Sequence, residues 1–130
     1  MVANAEAAVQ AACLKTGAEV IDYTAGPVFY EAGGAHEWLF EFRIPPTDLH
    51  EFSRILDQKL KEINSDYEAK RQKDIALKFP VITLLSKGVF HEWLRTKNKL
   101  GAQAKVPRLS NNREIIEELL ALNRSFSARV

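Results

Sequence analysis

Positive charge is concentrated in one segment near the C-terminal end of the chain, between Glu92 and Glu114. No acidic residue lies between these positions, and the basic residues there are Arg95, Lys97, Lys99, Lys105, Arg108 and Arg113. Pro107 restricts the backbone just after Lys105, so this loop could hold a lysine ready for phosphate oxygens. A solvated basic surface explains the same charges equally well. The segment therefore predicts either an anion site, for a nucleotide, a nucleic acid or a partner protein, or an ordinary charged surface.

Two carboxylates, Glu37 and Glu41, share one face of a predicted strand. Such a pair could serve as a general acid and a general base. We favour a solvated outer face with Arg43 nearby, because half-buried strands normally turn their charged residues to water. His50 and His91 are expected on solvated helix surfaces. The His and Cys residues do not have the spacing of a zinc site, so no metal site is predicted. No Gly-rich phosphate loop is found either.

The composition limits what kind of protein carries these residues. The chain has 130 residues, of which 46% are hydrophobic and 27% charged, and a net charge of +1. These values are typical of one soluble globular domain, with no general attraction to nucleic acid or to an anionic membrane. No apolar run is long enough to span a bilayer. The single cysteine, Cys13, is expected to pack within a helix, and a cytoplasmic location is expected.

Alternation with a period of two predicts the clearest strand, from His36 to Arg43. Its aromatic face consists of Trp38, Phe40 and Phe42. Such a face could stack on bases. Because the basic-glycine-aromatic signature of RNA-binding domains is absent, we expect these side chains to pack instead against the apolar stripe of the helix predicted at 49–63.

The remaining elements alternate between helices and strands. Further strands are predicted at 18–24, ended by Gly26-Pro27, and at 81–85, an apolar run expected to be well buried. Helices are predicted at 5–15, at 49–63 after an N-cap at Thr47, from Ser65, from Val89, and after Asn111 or Asn112. The helix from Ser65 should present a basic surface that includes Arg71. The pattern predicts an α+β fold, a small mixed sheet of about three strands with helices on one face. A hairpin and then a parallel crossover should connect the strands.

Three motifs follow one another in the second half of the chain. They are an Asn-Ser-x-Tyr element at 64–67, a Gly-x-Phe helix start at 88–90 and a Gln-x-Lys-x-Pro-Arg loop at 103–108. Together with blocks at 15–20 and 36–41, they resemble the C-terminal region of the auxin-responsive (Gretchen Hagen) acyl acid amido synthetase family. The resemblance covers nearly the whole chain. It is closer to bacterial members than to plant members, which usually have Tyr at the position of Ala104.

This resemblance implies an enzyme similar to the luciferase-like adenylate-forming enzymes. In these, a large N-terminal domain binds ATP and a carboxylic acid, and a small C-terminal domain closes over it as a lid. The acid is activated as acyl-AMP, and an amine or amino acid then displaces AMP. Residues 1–130 would be a single lid domain whose large partner domain is absent from this chain. Alone, they are expected to be inactive and to bind ATP weakly.

The resemblance also assigns site residues. Lys105 is implied as the catalytic residue and as a nucleotide contact. Gln103 and Arg108 are implied either as nucleotide contacts or as residues that shape the loop, and magnesium is expected to accompany ATP in the full-length enzyme. Asn64 and Tyr67 should organise the junction between two helices. The expected partners are the large domain and the acid and amine substrates, not a nucleic acid or a membrane. The alternative is a free-standing α+β binding module that uses residues 95–113 to bind a nucleotide, a nucleic acid or a protein.

Overall fold

A mixed sheet of three strands is the centre of the computed structural model, which describes residues 1–98 and 105–128. In order, the elements are α1 (Val2–Thr16), β1 (Glu19–Phe29), β2 (Gly34–Ile44), α2 (Leu49–Ile63), α3 (Ser65–Arg71), a 3-10 turn (Gln72–Asp74), β3 (Val81–Leu84), α4 (Val89–Thr96) and α5 (Glu114–Ala128). The predicted α+β class is confirmed.

The strand order β1-β2-β3 results from two connections of different length. A short turn joins β1 to β2, and the two strands pair antiparallel with Tyr23 opposite Phe40. The longer stretch through α2 and α3 brings β3 back parallel to β2, with Leu39 opposite Thr83. The predicted hairpin and the predicted parallel crossover are both confirmed.

β1 continues through Gly26 and Pro27, where the sequence predicts a break. β1 lies at the edge of the sheet, where a residue without an N–H is tolerated. A Cβ atom at Gly26 would lie 2.9 Å from a side-chain carbon of Ile116 in α5. The predicted break is therefore wrong, and the glycine instead allows α5 to approach the strand.

The aromatic side chains of β2 pack on one face of the sheet against α1 and α2. Trp38 and Phe40 are 1% and 0% exposed. The Phe40 ring meets Phe52 of α2 edge-on, with 5.2 Å between ring centroids. Leu56 and Leu60 of α2 are buried in the same cluster. The predicted packing of the aromatic face of β2 against α2 is confirmed, and we call this cluster the first core. Because its rings are buried, they do not form a base-stacking surface.

A second core lies on the opposite face of the sheet, which the sequence predicts to be solvated. Leu39 of β2 is fully buried there. The buried residues clustered with it are Leu85, Val89, Phe90, Trp93, Val106, Ile116 and Leu119. The prediction that helices cover only one face is wrong. On this face Glu37 and Glu41 flank Leu39, and although both are buried, their charges give the strand the pattern of a solvated surface.

Two smaller predictions also need correction. β3 is an edge strand rather than a well-buried one, and Val81 and Leu84 are 36% and 45% exposed. An apolar run of this length does not by itself reveal whether the strand has neighbours on both sides. Asp48 caps α2 one residue after the predicted Thr47. The helix α3 begins at Ser65 as predicted, with Asn64 as its N-cap.

Candidate functional site

The segment after the predicted loop lysine runs beside β1 and is hydrogen-bonded to it. The backbone N–H of Ala25 donates to the carbonyl oxygen of Arg108 at 2.9 Å, and the N–H of Ser110 donates to the carbonyl oxygen of Ala25 at 3.0 Å. The Thr24 hydroxyl donates to the carbonyl oxygen of Pro107 at 2.5 Å. These three hydrogen bonds attach the loop to a strand of the sheet.

Arg108 is held by groups from α1 and β1. Its guanidinium pairs with Asp22 and, at 3.1 Å, with Glu6, and it donates to the Tyr23 carbonyl oxygen at 2.9 Å. The guanidinium carbon also lies 4.3 Å from the centroid of the Tyr23 ring, within cation–π distance. Burial disfavours the charged form, but the hydrogen bond and charge of Asp22, together with the charge of Glu6, outweigh it and raise the pKa of Arg108. Arg108 is therefore a permanently charged link between the loop and the sheet.

Lys105 precedes this attached segment, and its side chain is exposed. The next residue, Val106, is 2% exposed and packs in the second core. Within the described part of the chain, Lys105 has no hydrogen-bond or ion-pair partner. An ammonium group with three available donors, beside an anchored backbone, is suited to an anionic oxygen.

The other basic side chains of this segment have acidic partners. The pairs are Arg95 with Glu92 at 2.5 Å, Lys97 with Glu118 at 3.1 Å, Arg113 with Glu117 at 2.6 Å and with Glu37 at 3.0 Å, and Arg108 as above. Lys99 and Gln103 lie outside the described residues, so the nucleotide contact predicted for Gln103 stays a prediction. Across 95–98 and 105–113, most of the positive charge is therefore neutralised, and Lys105 differs from its basic neighbours.

The two carboxylates of β2 attach α4 and α5 to the sheet. Glu41 is 3% exposed, and its two oxygens accept hydrogen bonds from the backbone N–H groups of Gly88 and Phe90, at 3.0 and 3.1 Å. A carboxylate there satisfies N–H groups that have no partner within α4 and complements the helix dipole. Glu37 accepts from a β3 threonine hydroxyl at 2.6 Å and pairs with Arg113, just before α5. The favoured prediction of a solvated carboxylate face is wrong, because both carboxylates are buried and each is paired with groups of the protein.

A second ionic cluster, which the sequence patterns do not predict, joins α2 to α3. Asp57 accepts two hydrogen bonds of 2.8 Å from Arg71 and one of 2.5 Å from the Tyr67 hydroxyl. Asn64 accepts from the Tyr67 N–H at 2.8 Å, which confirms the predicted role of these two residues at the helix junction. Arg71 is 6% exposed and does not lie on a basic surface as predicted. The overlooked signal is Asp57 itself, directly after Leu56 on the apolar side of α2, where a charge requires a partner.

The histidines form no such cluster. His50 and His91 are exposed, as predicted. His36 stacks on Tyr67 with 6.1 Å between ring centroids, and burial, with a smaller effect of the Lys70 charge, lowers its pKa. Among the described residues, no group of three or more His, Cys, Asp or Glu is placed to hold a metal ion. No helix in the same part of the chain is long and apolar enough to cross a membrane.

Comparisons with known proteins found a matching family and similar solved structures. Residues 3–114 match the model of the GH3 family C-terminal domain. A solved structure of GH3.15 acyl acid amido synthetase is similar, with a TM-score of 0.72 at 19% identity over 94% of this chain. The structure of AtGH3.15 acyl acid amido synthetase in complex with 2,4-DB has a TM-score of 0.73 at 20% identity over 91% of this chain. The chain spans only 23% of either protein, and these two likenesses establish the fold. No curated protein matches the chain.

Proposed function

This chain belongs to the GH3 family as its C-terminal domain, and we propose that it is the lid of an ATP-dependent acyl acid amido synthetase. Its fold is that of the corresponding part of two such enzymes, which are about four times as long. A large domain that binds ATP and the acid is therefore the main expected partner. A cytoplasmic location is part of the same proposal.

The observation that carries this proposal is the available ammonium group of Lys105 beside a backbone that is attached to the sheet. In adenylation, a carboxylate oxygen of the acid bonds to the α-phosphorus of ATP. The bond from that phosphorus to the bridging oxygen breaks, and pyrophosphate leaves. Negative charge is spread over phosphate oxygens during this step, so a cation that reaches those oxygens stabilises the transition state more than the ground state. Lys105 is proposed as that cation.

The second half-reaction makes the amide. The amine nitrogen bonds to the acyl carbon of acyl-AMP, the bond from that carbon to the phosphate oxygen breaks, and AMP leaves as the amine gives up a proton. Magnesium is expected to accompany ATP in the full-length enzyme. Because the described residues contain no metal-ligand cluster, its ligands are proposed to be the phosphates of ATP and groups of the large domain. Gln103 remains a proposed nucleotide contact.

The alternative of a free-standing module that binds an anionic polymer receives less support. Such a module needs several unpaired cations on one surface, because binding to a phosphate backbone depends on the number of charges neutralised. Arg95, Lys97, Arg108 and Arg113 all have acidic partners. Among the described basic residues of this segment, Lys105 alone has no acidic partner. A single ammonium group is better suited to one phosphate group of a nucleotide that is held mainly by another domain.

The test uses the full-length enzyme and the substitution Lys105→Ala. We expect acyl-AMP formation, measured by ATP–pyrophosphate exchange with an acid substrate, to slow by about 100-fold to 1000-fold, the scale for losing one preorganised donor. The free energy of unfolding should change by less than about 0.5 kcal/mol, because the side chain is exposed. Lys15→Ala, an exposed lysine on α1, is the matched control and should leave the exchange rate unchanged. The 130-residue chain alone should show no exchange.

A synthetic acyl-AMP separates the two half-reactions. Supplied directly to Lys105→Ala, it should still react with the amine, because that step does not require the attack on ATP. If neither half-reaction slows in the variant, Lys105 is an ordinary surface residue and the proposed function loses its main support. Pyrophosphate exchange by the 130-residue chain alone would contradict the assignment of this domain as a lid.

A further inference from the structure

We infer that Thr24 and Arg108 are positioning residues, which hold the backbone beside Lys105 in the place that adenylation requires. The inference rests on the proposed function of Lys105 and extends it to two residues that attach the segment directly after the lysine to the sheet. Neither residue needs to contact a substrate in this role.

Thr24 is the first of these residues. It is 0% exposed, so its hydroxyl group is removed from water, and it donates to the carbonyl oxygen of Pro107 at 2.5 Å. Proline has no N–H, so its carbonyl is the backbone group through which this position can be tied to the sheet. A buried hydroxyl needs a partner, and Thr24 has its partner in the loop. The contact therefore fixes the chain at the second residue after Lys105.

Arg108 supplies the next attachment point. Two carboxylates, Glu6 and Asp22, balance its charge, and the Tyr23 ring lies beneath its guanidinium. Its side chain is only 19% exposed. A guanidinium paired in this way has little net charge to offer a phosphate, whereas its contacts with α1 and β1 prevent the loop from sliding along the strand. Of the two roles that the family resemblance implies for Arg108, this arrangement supports shaping the loop more strongly than a nucleotide contact.

Four successive residues after Lys105 are thus fixed in different ways. Val106 packs in the second core, Pro107 accepts from Thr24, Arg108 forms the ion pairs and a backbone hydrogen bond, and the next residue, Leu109, lies in a bridge to Ala25. The chain is thus held from the residue directly after Lys105 onwards. Because misplacing a catalytic group by about 1 Å can cost about 100-fold in rate, a loosened loop should impair catalysis without removing the lysine.

The test compares Thr24→Val with Thr24→Ser in the full-length enzyme. Valine matches the shape of threonine but cannot donate to Pro107, and serine keeps the hydroxyl group. We expect Thr24→Val to lower kcat for acyl-AMP formation by about 10-fold to 100-fold, with KM for the acid little changed. Thr24→Ser should restore most of the rate. Thr16→Val, which removes a 2.7 Å hydroxyl-to-carbonyl bond within α1, is the matched control and should not affect kcat.

Amide hydrogen exchange gives a readout that does not depend on activity. In Thr24→Val, the Ser110 N–H, which donates to Ala25, should exchange at least about 10-fold faster, while amides of α2 keep their protection. If Thr24→Val does not fold, Asp22→Asn weakens the Arg108 attachment from the other side and should give the same two changes. If Lys105→Ala slows adenylation but neither Thr24→Val nor Asp22→Asn does, the positioning inference is wrong and the proposed function stands. If Lys105→Ala has no effect, the proposed function fails, and this inference fails with it.

Discussion

The two faces of the sheet are built from different interactions. On the face towards α1 and α2, the contacts are between apolar and aromatic side chains such as Trp38, Phe40 and Phe52. On the face towards α4 and α5, buried Glu37 and Glu41 add directed contacts to the apolar ones. Apolar contacts are non-directional, whereas hydrogen bonds and ion pairs specify distance and orientation. The first face therefore chiefly supplies stability, and the second fixes α4 and α5 in position near the candidate site.

The largest expected effect is on the first face. Trp38→Ala should lower the free energy of unfolding by about 3–5 kcal/mol, because it removes a fully buried aromatic side chain and leaves a cavity. Urea denaturation of the 130-residue chain measures this loss. Trp38→Phe is the control and should lose less, since most of the buried apolar contact remains and the indole N–H has no partner among the described residues. A loss below about 1 kcal/mol for Trp38→Ala would mean that the first face does not supply most of the stability.

An intermediate effect is expected on the second face. Glu41→Gln keeps the shape of the side chain but removes the charge and one of the two acceptors for the N–H groups of Gly88 and Phe90. We expect a loss of about 1–3 kcal/mol in the free energy of unfolding, the cost of a buried donor left without a partner. Glu62→Gln, an exposed change in α2, should cost less than about 0.5 kcal/mol. Equal values for the two variants would show that Glu41 has no special role in holding α4.

The smallest effect is a dependence on pH that comes from the junction of α2 and α3. Burial alone would raise the pKa of Asp57, but hydrogen bonds from Arg71 and Tyr67 and the charges of Arg71 and Lys61 outweigh it and hold the pKa below its ordinary value of about 3.9. Stability from this carboxylate is present above the unfolded-state pKa and is lost as pH falls through the folded-state pKa. One such group changes the free energy of unfolding by at most about 1.4 kcal/mol per pH unit.

Carbon-13 NMR of the Asp57 carboxyl group, recorded from pH 6 down to pH 2 or to the onset of unfolding, checks this prediction. The carboxyl group should remain ionised below about pH 3.9 while the domain is folded. Titration above that pH would mean that desolvation dominates at Asp57 and that the contacts with Arg71 and Tyr67 do not compensate for it.

The difference between the two faces also explains what the sequence reveals. The aromatic face of β2 and the apolar stripe of α2 have clear periods of two and of 3.6, so their packing is predictable. Glu37 and Glu41 interrupt the same kind of period on the other face, and their partners are far away in the chain, in α4 and just before α5. Nothing local in the sequence shows which charges find a buried partner. The sequence patterns therefore do not predict the second core, although all its apolar residues are present in the sequence.

The candidate site also has features that the sequence predicts and features that it does not. Lys105 is identified as a candidate from a run of basic residues, a proline and the family motif, all of which are local features of the sequence. The sequence does not predict which basic residues are neutralised, because this depends on which acidic residues the fold brings close. Here the neutralised residues are Arg95, Lys97 and Arg113. The contribution of Thr24 is hidden for the same reason, since a threonine within a strand carries no local sign of a loop partner.

The attachment of the loop to β1 has a consequence for how the domain assembles. Thr24 and Pro107 are 83 positions apart in the chain, whereas the β1–β2 hairpin needs only neighbouring residues. Closing a long loop costs more chain entropy than closing a short one, and distant pairings slow folding. During synthesis, β1 and β2 leave the ribosome well before Pro107 exists. We therefore expect the attachment of residues 107–110 to β1 to be among the last parts of the domain to form, so that its presence is a sign that folding of the domain is finished.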